Sequence, residues 1–244
     1  PTAAEHDEFR GVPGAFDGAV QGIRNCLAAG VEVQINSTIT KLNAHELPQL
    51  LKLATDLGAV SFHPFMLVPT GRGKELEEQE LPPEEYERAL EWMYDAQQES
   101  DLFMKPTDVP HYWRVMRQRA KAQGRKLEVH PHSHGGMNTL SRGCLAGIGF
   151  CFISHVGDVQ GCGYFDKVAG NIREQTFPQV WNDSPLFNEL RDFDGLKGKC
   201  GVCEFKRVCG GCRARAYEAT GDYMAEEPYC AYVPKGWCVP SVEI

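Results

Sequence analysis

The sequence predicts an α/β chain in two parts: parallel βα units over residues 1–100, then a small cysteine-rich α+β module over 144–244. Three observations carry this. Apolar residues recur alternately at helical and at strand spacing through the first part. Eight cysteines fall from Cys144 to Cys230, half of them in C-x2-C pairs. The chain of 244 residues, 42% apolar, has ample material for a core. A connector, residues 101–143, lies between the two parts, helical at first and then rich in Gly and His.

The elements follow in order. Phe16, Ala19, Val20, Ile23 and Leu27 lie on one face of a helix over 15–29, and Gly30 closes it. VEVQINSTIT, residues 31–40, is a strand with Val31, Val33 and Ile35 on one face and Gln34, Asn36 and Thr38 on the other. Asn43 reads as the N-cap of a second helix whose stripe is Leu47, Leu50, Leu51, Ala54 and Leu57, with Gly58 as its end. AVSFHPFMLV, residues 59–68, is the next strand, with Pro64 at a bulge or edge. Helix–strand–helix–strand at this spacing means parallel pairing, polar faces turned to a lumen. Two strands cannot close a barrel, and the chain starts at Pro1 without an initiator Met, so further βα units are expected upstream.

PTGRG, residues 69–73, is a loop at the C-terminal end of the second strand, where barrel enzymes keep their sites. An acidic stretch follows, then a helix from Pro82 to about 99 with Tyr86, Leu90 and Met93 buried, and a basic helix over about 108–123. Beyond residue 144 the segments are short, apart from helices near 177–191 and 212–220, so this module is expected to fold around metals rather than a large core.

The cysteines point to metal chemistry. They run Cys144, Cys151, Cys162, then Cys200-x2-Cys203-x5-Cys209-x2-Cys212, then Cys230 after seventeen more residues. Eight thiols make two four-thiolate sites, the requirement of two 4Fe–4S clusters. Disulfides suit small secreted chains with little core, which this is not. Zinc also grips C-x2-C pairs, but a zinc ribbon separates its pairs by roughly 15–20 residues. Here five separate Cys203 from Cys209. A zinc-stapled binding module remains the rival reading. The net charge of −8 argues against general nucleic-acid binding. Within it, Arg114, Arg117, Arg119, Lys121, Arg125 and Lys126 form an acid-free run, either a solvated helix face or a patch for a carboxylate-rich substrate. No signal peptide or membrane-spanning apolar stretch is present in the sequence, which points to a cytoplasmic chain with no membrane partner.

The series Cys144-x12-Gly157-x4-Cys162, Cys200-x2-Cys203-x5-Cys209-x2-Cys212 and Cys230 resembles the SPASM domain of radical SAM (radical AdoMet) enzymes, departing from it in two rather than three residues between Cys209 and Cys212. HDEFRGVPGAF (6–16), VQINSTIT and LVPTGRG resemble the second half of that superfamily's partial (β/α) barrel. CGVCEFKRVCGGCRARAYEATGDYMAEEPYC (200–230) is most similar to the AdoMet-dependent haem synthases of the sirohaem-based haem pathway. The resemblance implies oxidative decarboxylation of two propionates of iron-coproporphyrin III to vinyls, giving haem b. Peptide maturation or another porphyrin step is the alternative. It implies S-adenosyl-L-methionine as cofactor, an electron donor such as flavodoxin or ferredoxin, and one or two auxiliary 4Fe–4S clusters. Cys144, Cys151, Cys162 and Cys212 would hold one, and Cys200, Cys203, Cys209 and Cys230 the other. The superfamily's C-x3-C-x2-C motif, which binds the AdoMet-cleaving cluster, does not occur in these residues, so the chain as given is expected to be an inactive, N-terminally truncated piece.

Other candidates follow from chemistry. Arg10 and Arg72 can pair with the AdoMet carboxylate, Arg72 also with a substrate propionate, and Asn36 and Thr38 can hold AdoMet from the lumen. His111, His130, His132 and His134 are imidazoles available to a haem iron, though solitary histidines are rarely ligands. Gly201, Gly210 and Gly211 would let backbone N–H groups approach the sulfurs, or simply make turns. Cys26 reads as a buried structural thiol, and Cys238 is unassigned.

Overall fold

The computed structural model describes residues 2–125 and 142–238, apart from the side chain of Arg72. By packing, the chain divides into two compact units, Pro1–Leu67 with Trp92–Thr107, and Val68–Glu91 with Asp108–Ile244. Residues 68–91, attached to the barrel piece in the sequence reading, thus pack with the cysteine-rich segment.

The first unit opens with α1 (Ala3–Arg10), whose Thr2 and Glu5 form a reciprocal capping box. The Asp7 carboxylate then accepts from the N–H groups of Gly14 (2.6 Å) and Phe16 (2.8 Å), tying the end of α1 to the start of α2 (Ala15–Ala28). These two donors hold the Asp7 carboxyl below the usual range. Gly30, at φ +76°, turns the chain after α2, and Val31 N–H bonds back to Cys26 O at 2.9 Å. Three parallel strands follow in the order β1-β2-β3: β1 (Gln34–Ile39), β2 (Ser61–Met66) and β3 (Phe103–Met104). The third strand is too short to leave a period in the sequence.

Two expectations are corrected here. Asn43 does not cap the second helix. Its side chain accepts from Thr40 N–H and donates to Thr38 O, closing a turn, and α3 (Leu47–Asp56) starts after a 3-10 turn, with Pro48 in its first turn. Pro64 sits at neither bulge nor edge. It lies within the central strand in register with Ser37, on the side where β3 has already ended, and its carbonyl accepts from Thr107 N–H. The ladder there has little to lose from the missing donor.

In the second unit a 3-10 segment (Gly71–Gln79) leads to α4 (Pro83–Glu99), which is divided between the units after Glu91. The basic helix is α5 (Tyr112–Ala122). A small antiparallel sheet of β4 (Phe152–Ile153), β5 (Asp158–Gln160) and β6 (Val168–Asn171) precedes α6 (Phe177–Asp183) and α7 (Pro185–Arg191). The single helix expected over 177–191 is broken at Ser184 because Pro185 cannot continue it. Then come α8 (Gly198–Val202) and α9 (Arg213–Thr220). This unit does have an apolar core, in which Val159, Phe165, Val180 and Phe187 are at most 1% exposed. Among the described residues no helix is long and apolar enough to cross a membrane.

Candidate metal centre

The spacing C-x2-C-x5-C is closed by local turns. Cys200 lies in α8 and Cys203 at its C-cap; Lys206 N–H then bonds Cys203 O (3.1 Å) and Cys209 N–H bonds Phe205 O (2.8 Å). Lys199 pins the distant Cys230 by donating from Nζ to its carbonyl at 2.9 Å. As a result Cys200, Cys203, Cys209 and Cys230 line one cavity, together with His111 and Arg114. Backbone N–H groups point at three of these sulfurs: Glu227 at Cys200, Phe205 at Cys203 and Gly211 at Cys209, each at 3.4 Å. The guanidinium of Arg213 adds a contact to Cys200 Sγ at 3.9 Å. Gly211 is held at φ +62°, and a Cβ there would come within 2.9 Å of Glu227 Cβ and 3.3 Å of Cys200 Sγ. Only glycine gives this N–H its approach.

A second group packs against the unit's apolar core: Cys144, Cys151, Cys162 and buried Cys212. Cys212 is the N-cap of α9, its sulfur accepting from Arg215 N–H at 3.5 Å. Burial raises the Cys212 thiol strongly, with Glu227 adding to the rise and Arg215 opposing it. Burial likewise pushes Cys162 up to about 12 and Cys230 to about 11, and raises Cys151. Such thiols stay protonated until a metal displaces the proton. The two groups adjoin, since Cys144 N–H donates to Cys209 O at 3.1 Å.

Between them lies a buried charge network. Glu227 Oε2 accepts from Cys212 N–H at 2.6 Å, while its own N–H reaches Cys200 Sγ, so one residue braces a cysteine of each group. Arg215, wholly buried, faces Glu227 at 3.3 Å and Glu80 at 3.5 Å. Burial would raise Glu227, but Arg215, His111 and the Cys212 N–H together hold it below the usual range. Glu80, with burial outweighing Arg215, is pushed up to about 7. Sequence reasoning missed Glu80, Arg215 and Glu227. For Arg215 and Glu227 the available signal was a charge three residues from a ligand-type cysteine, in CRAR and EEPYC; Glu80 carries no such signal.

The remaining candidates are placed as follows. Arg114 is not part of a surface patch: it is 2% exposed and paired bidentately with Glu87 at 2.7 and 2.5 Å, which breaks the proposed cationic run at its first member. Arg117 and Lys121 are exposed. His111 is enclosed against Tyr86, ring centres 5.4 Å apart, which removes it as a ligand for a substrate's iron. His130, His132 and His134 lie outside the described residues, as does the Arg72 side chain. Asn36 and Thr38 are exposed on the Gln34 face of β1, in register with His63 and Phe65 of β2, so His63 joins that face. Burial and Lys105 lower His63 to about 4. Arg10 is exposed in the last turn of α1. Cys26 is exposed rather than buried, because α2 buries none of its residues in this chain, and Cys238 is exposed too.

The residues present fit iron–sulfur clusters. The donor set is eight thiols free of disulfides, with N–H groups already directed at the sulfurs. Two wall atoms, Nδ1 and Nε2 of His111, are buried without a partner, as a site built for an acceptor would leave them. Among the described residues no three His, Cys, Asp or Glu side chains gather tightly enough for a single metal ion.

Comparison with known proteins agrees. A model of the SPASM family, described as an iron-sulfur cluster-binding domain, matches residues 144–213. An AdoMet-dependent heme synthase of Methanosarcina barkeri is 52% identical over 95% of this chain and 65% of its own length. One from Nitratidesulfovibrio vulgaris is 50% identical over 96% of this chain and 63% of its own. The chain thus spans a little under two thirds of these relatives. Among solved structures, Streptococcus suis SuiB bound to precursor peptide SuiA aligns with TM-score 0.63 at 18% identity, covering 91% of this chain and 49% of SuiB, a likeness of fold.

Proposed function

We propose that this chain, which resembles the radical AdoMet enzymes that carry a SPASM domain through its match over residues 144–213 and its identity to two AdoMet-dependent heme synthases, forms the auxiliary-cluster part of an enzyme converting two propionates of iron-coproporphyrin III to vinyls. Cys200, Cys203, Cys209 and Cys230 hold one 4Fe–4S cluster, and Cys144, Cys151, Cys162 and Cys212 the other. The observation that carries this reading is the cavity walled by the first four cysteines, with backbone N–H groups on three of its sulfurs. N–H···S contacts stabilise thiolate charge and tune the potential of whatever iron the thiolates bind.

S-adenosyl-L-methionine, when bound, supplies the hydrogen-abstracting radical, and a 4Fe–4S cluster supplies a one-electron acceptor. Loss of a hydrogen atom and CO2 from each propionate leaves one electron over, and a cluster held by the two sets of cysteines would supply its acceptor. The protein's own task is to position and insulate. Gly211 and Glu227 direct donors at the sulfurs, Arg215 balances Glu227 where both are buried, and Cys212 is buried in the apolar core with Phe165 and Phe187. Asn36, Thr38, Arg10 and Arg72 contribute to AdoMet and propionate binding. The electron donor is a flavodoxin or ferredoxin, and the working compartment is the cytoplasm.

The test is an anaerobic assay at the full length of the heme-synthase relatives, with iron-coproporphyrin III, AdoMet and a reductant, followed by mass spectrometry. Two successive losses of the elements of formic acid, with a Soret change on porphyrin binding, are expected. No porphyrin binding, or turnover of a peptide instead, overturns the haem reading.

A further inference from the structure

We propose that His111 is a hydrogen-bond donor to the cluster held by Cys200, Cys203, Cys209 and Cys230, a positioning residue that raises the reduction potential of that cluster relative to the other. The inference rests on the cluster reading above. His111 is 0% exposed, it lines the same cavity as those four cysteines, and neither ring nitrogen has a hydrogen-bond partner among the described residues. Neutral imidazole carries one N–H donor and one acceptor, and burying both unmet is unfavourable unless something in the cavity takes the donor. The four cysteines already complete a 4Fe–4S ligand set, so the imidazole is not needed on iron. What such a cluster offers at the cavity wall is sulfur, an acceptor.

The ring is held in place. His111 stands at the N-cap position of α5, its carbonyl accepts from Arg114 N–H (3.0 Å) and Val115 N–H (3.1 Å), and Tyr86 packs on its face. Tyr86 in turn stacks on Tyr229, next to Cys230. The charges around the ring are Glu227, Arg215, Arg114 and Glu87, and all four are engaged in ion pairs, Arg215 with Glu227 and Arg114 with Glu87. The other cysteine group faces Val159, Phe165, Phe187 and Leu190 in its core. A donor on the sulfur of one cluster favours its extra electron, which makes that cluster the preferred resting place for a single electron.

The experiment uses this chain reconstituted anaerobically, with 15N-histidine labelling, pulsed EPR of the reduced state and an EPR-monitored redox titration, on the unchanged chain, His111→Leu and His111→Gln. The unchanged chain should show a weak nitrogen coupling, lost in His111→Leu. Iron and sulfide contents should be equal in all three. One cluster alone should shift to lower potential in His111→Leu, with its reduced-to-oxidised ratio about tenfold lower at the original midpoint, some 59 mV for one electron. His111→Gln, which keeps an N–H, should recover part of that shift. A strong nitrogen coupling typical of a direct iron ligand, or unchanged potentials at full iron loading, would overturn the proposal. Absence of iron and sulfide from the unchanged chain would instead defeat the cluster reading itself.

Discussion

Glu227 carries two duties through two parts of one residue: its carboxylate holds Cys212 N–H and its backbone N–H reaches Cys200 Sγ. Replacing it by alanine removes the carboxylate that holds Cys212 N–H and one of the two carboxylates facing Arg215, while the backbone N–H to Cys200 stays in place. Glu227→Ala should cost roughly 3–5 kcal/mol, the usual penalty for stripping one partner from a buried ion pair. Iron retention should fall at the Cys212 site more than at the Cys200 site, read by denaturant unfolding and metal analysis. Gly211→Ala is more local. Its left-handed backbone disfavours any side chain by about 1–2 kcal/mol, and the added methyl meets Glu227 and Cys200. That variant should lose iron from the Cys200 site and keep the Cys212 site. These two positions also mark a limit of the sequence. Glycines beside the cysteines stand out in a linear reading, whereas the burial of Arg215 and Glu227 depends on a contact made across twelve residues.

Among the elements, those whose cause is local were the legible ones. The stripes of α2, α3 and α4 and the alternation in β1 report their own periods, and α9 announces itself after Cys212. What failed was set by neighbours in space. The two-residue β3 exists because β2 offers it an edge, Pro64 is tolerated because β3 stops short, and Arg114 is buried because Glu87, twenty-seven residues earlier, meets it. Ahead of α4, Glu80 gives a pH test. Its carboxyl rises from 4.5 to about 7 in the folded chain, chiefly through burial. The folded state then binds this proton more tightly than the unfolded chain. Its contribution to stability is complete below about pH 4.5 and is lost as pH climbs towards 7. Glu80→Gln should flatten that part of the melting-temperature profile; an unchanged slope between pH 5 and 7 would assign the dependence elsewhere.

Over the whole chain, the cysteine series was legible in the sequence, but the apolar core packed against it was not. The module from residue 144 was expected to fold around metals rather than a large core, yet Val159, Phe165, Val180 and Phe187 pack there into an apolar core. Apo protein should therefore keep part of its cooperative unfolding rather than behave as a metal-nucleated peptide, a point differential calorimetry before and after chelation would decide. The central claim is that eight thiols form two separate four-thiolate cluster sites. It is tested most directly by iron and acid-labile sulfide analysis of the anaerobically prepared chain beside Cys203→Ser and Cys212→Ser. The account predicts about eight iron and eight sulfide per chain, with each substitution removing about four of both while sparing the other set. Zinc without sulfide, or a single substitution that empties both sites together, would contradict it.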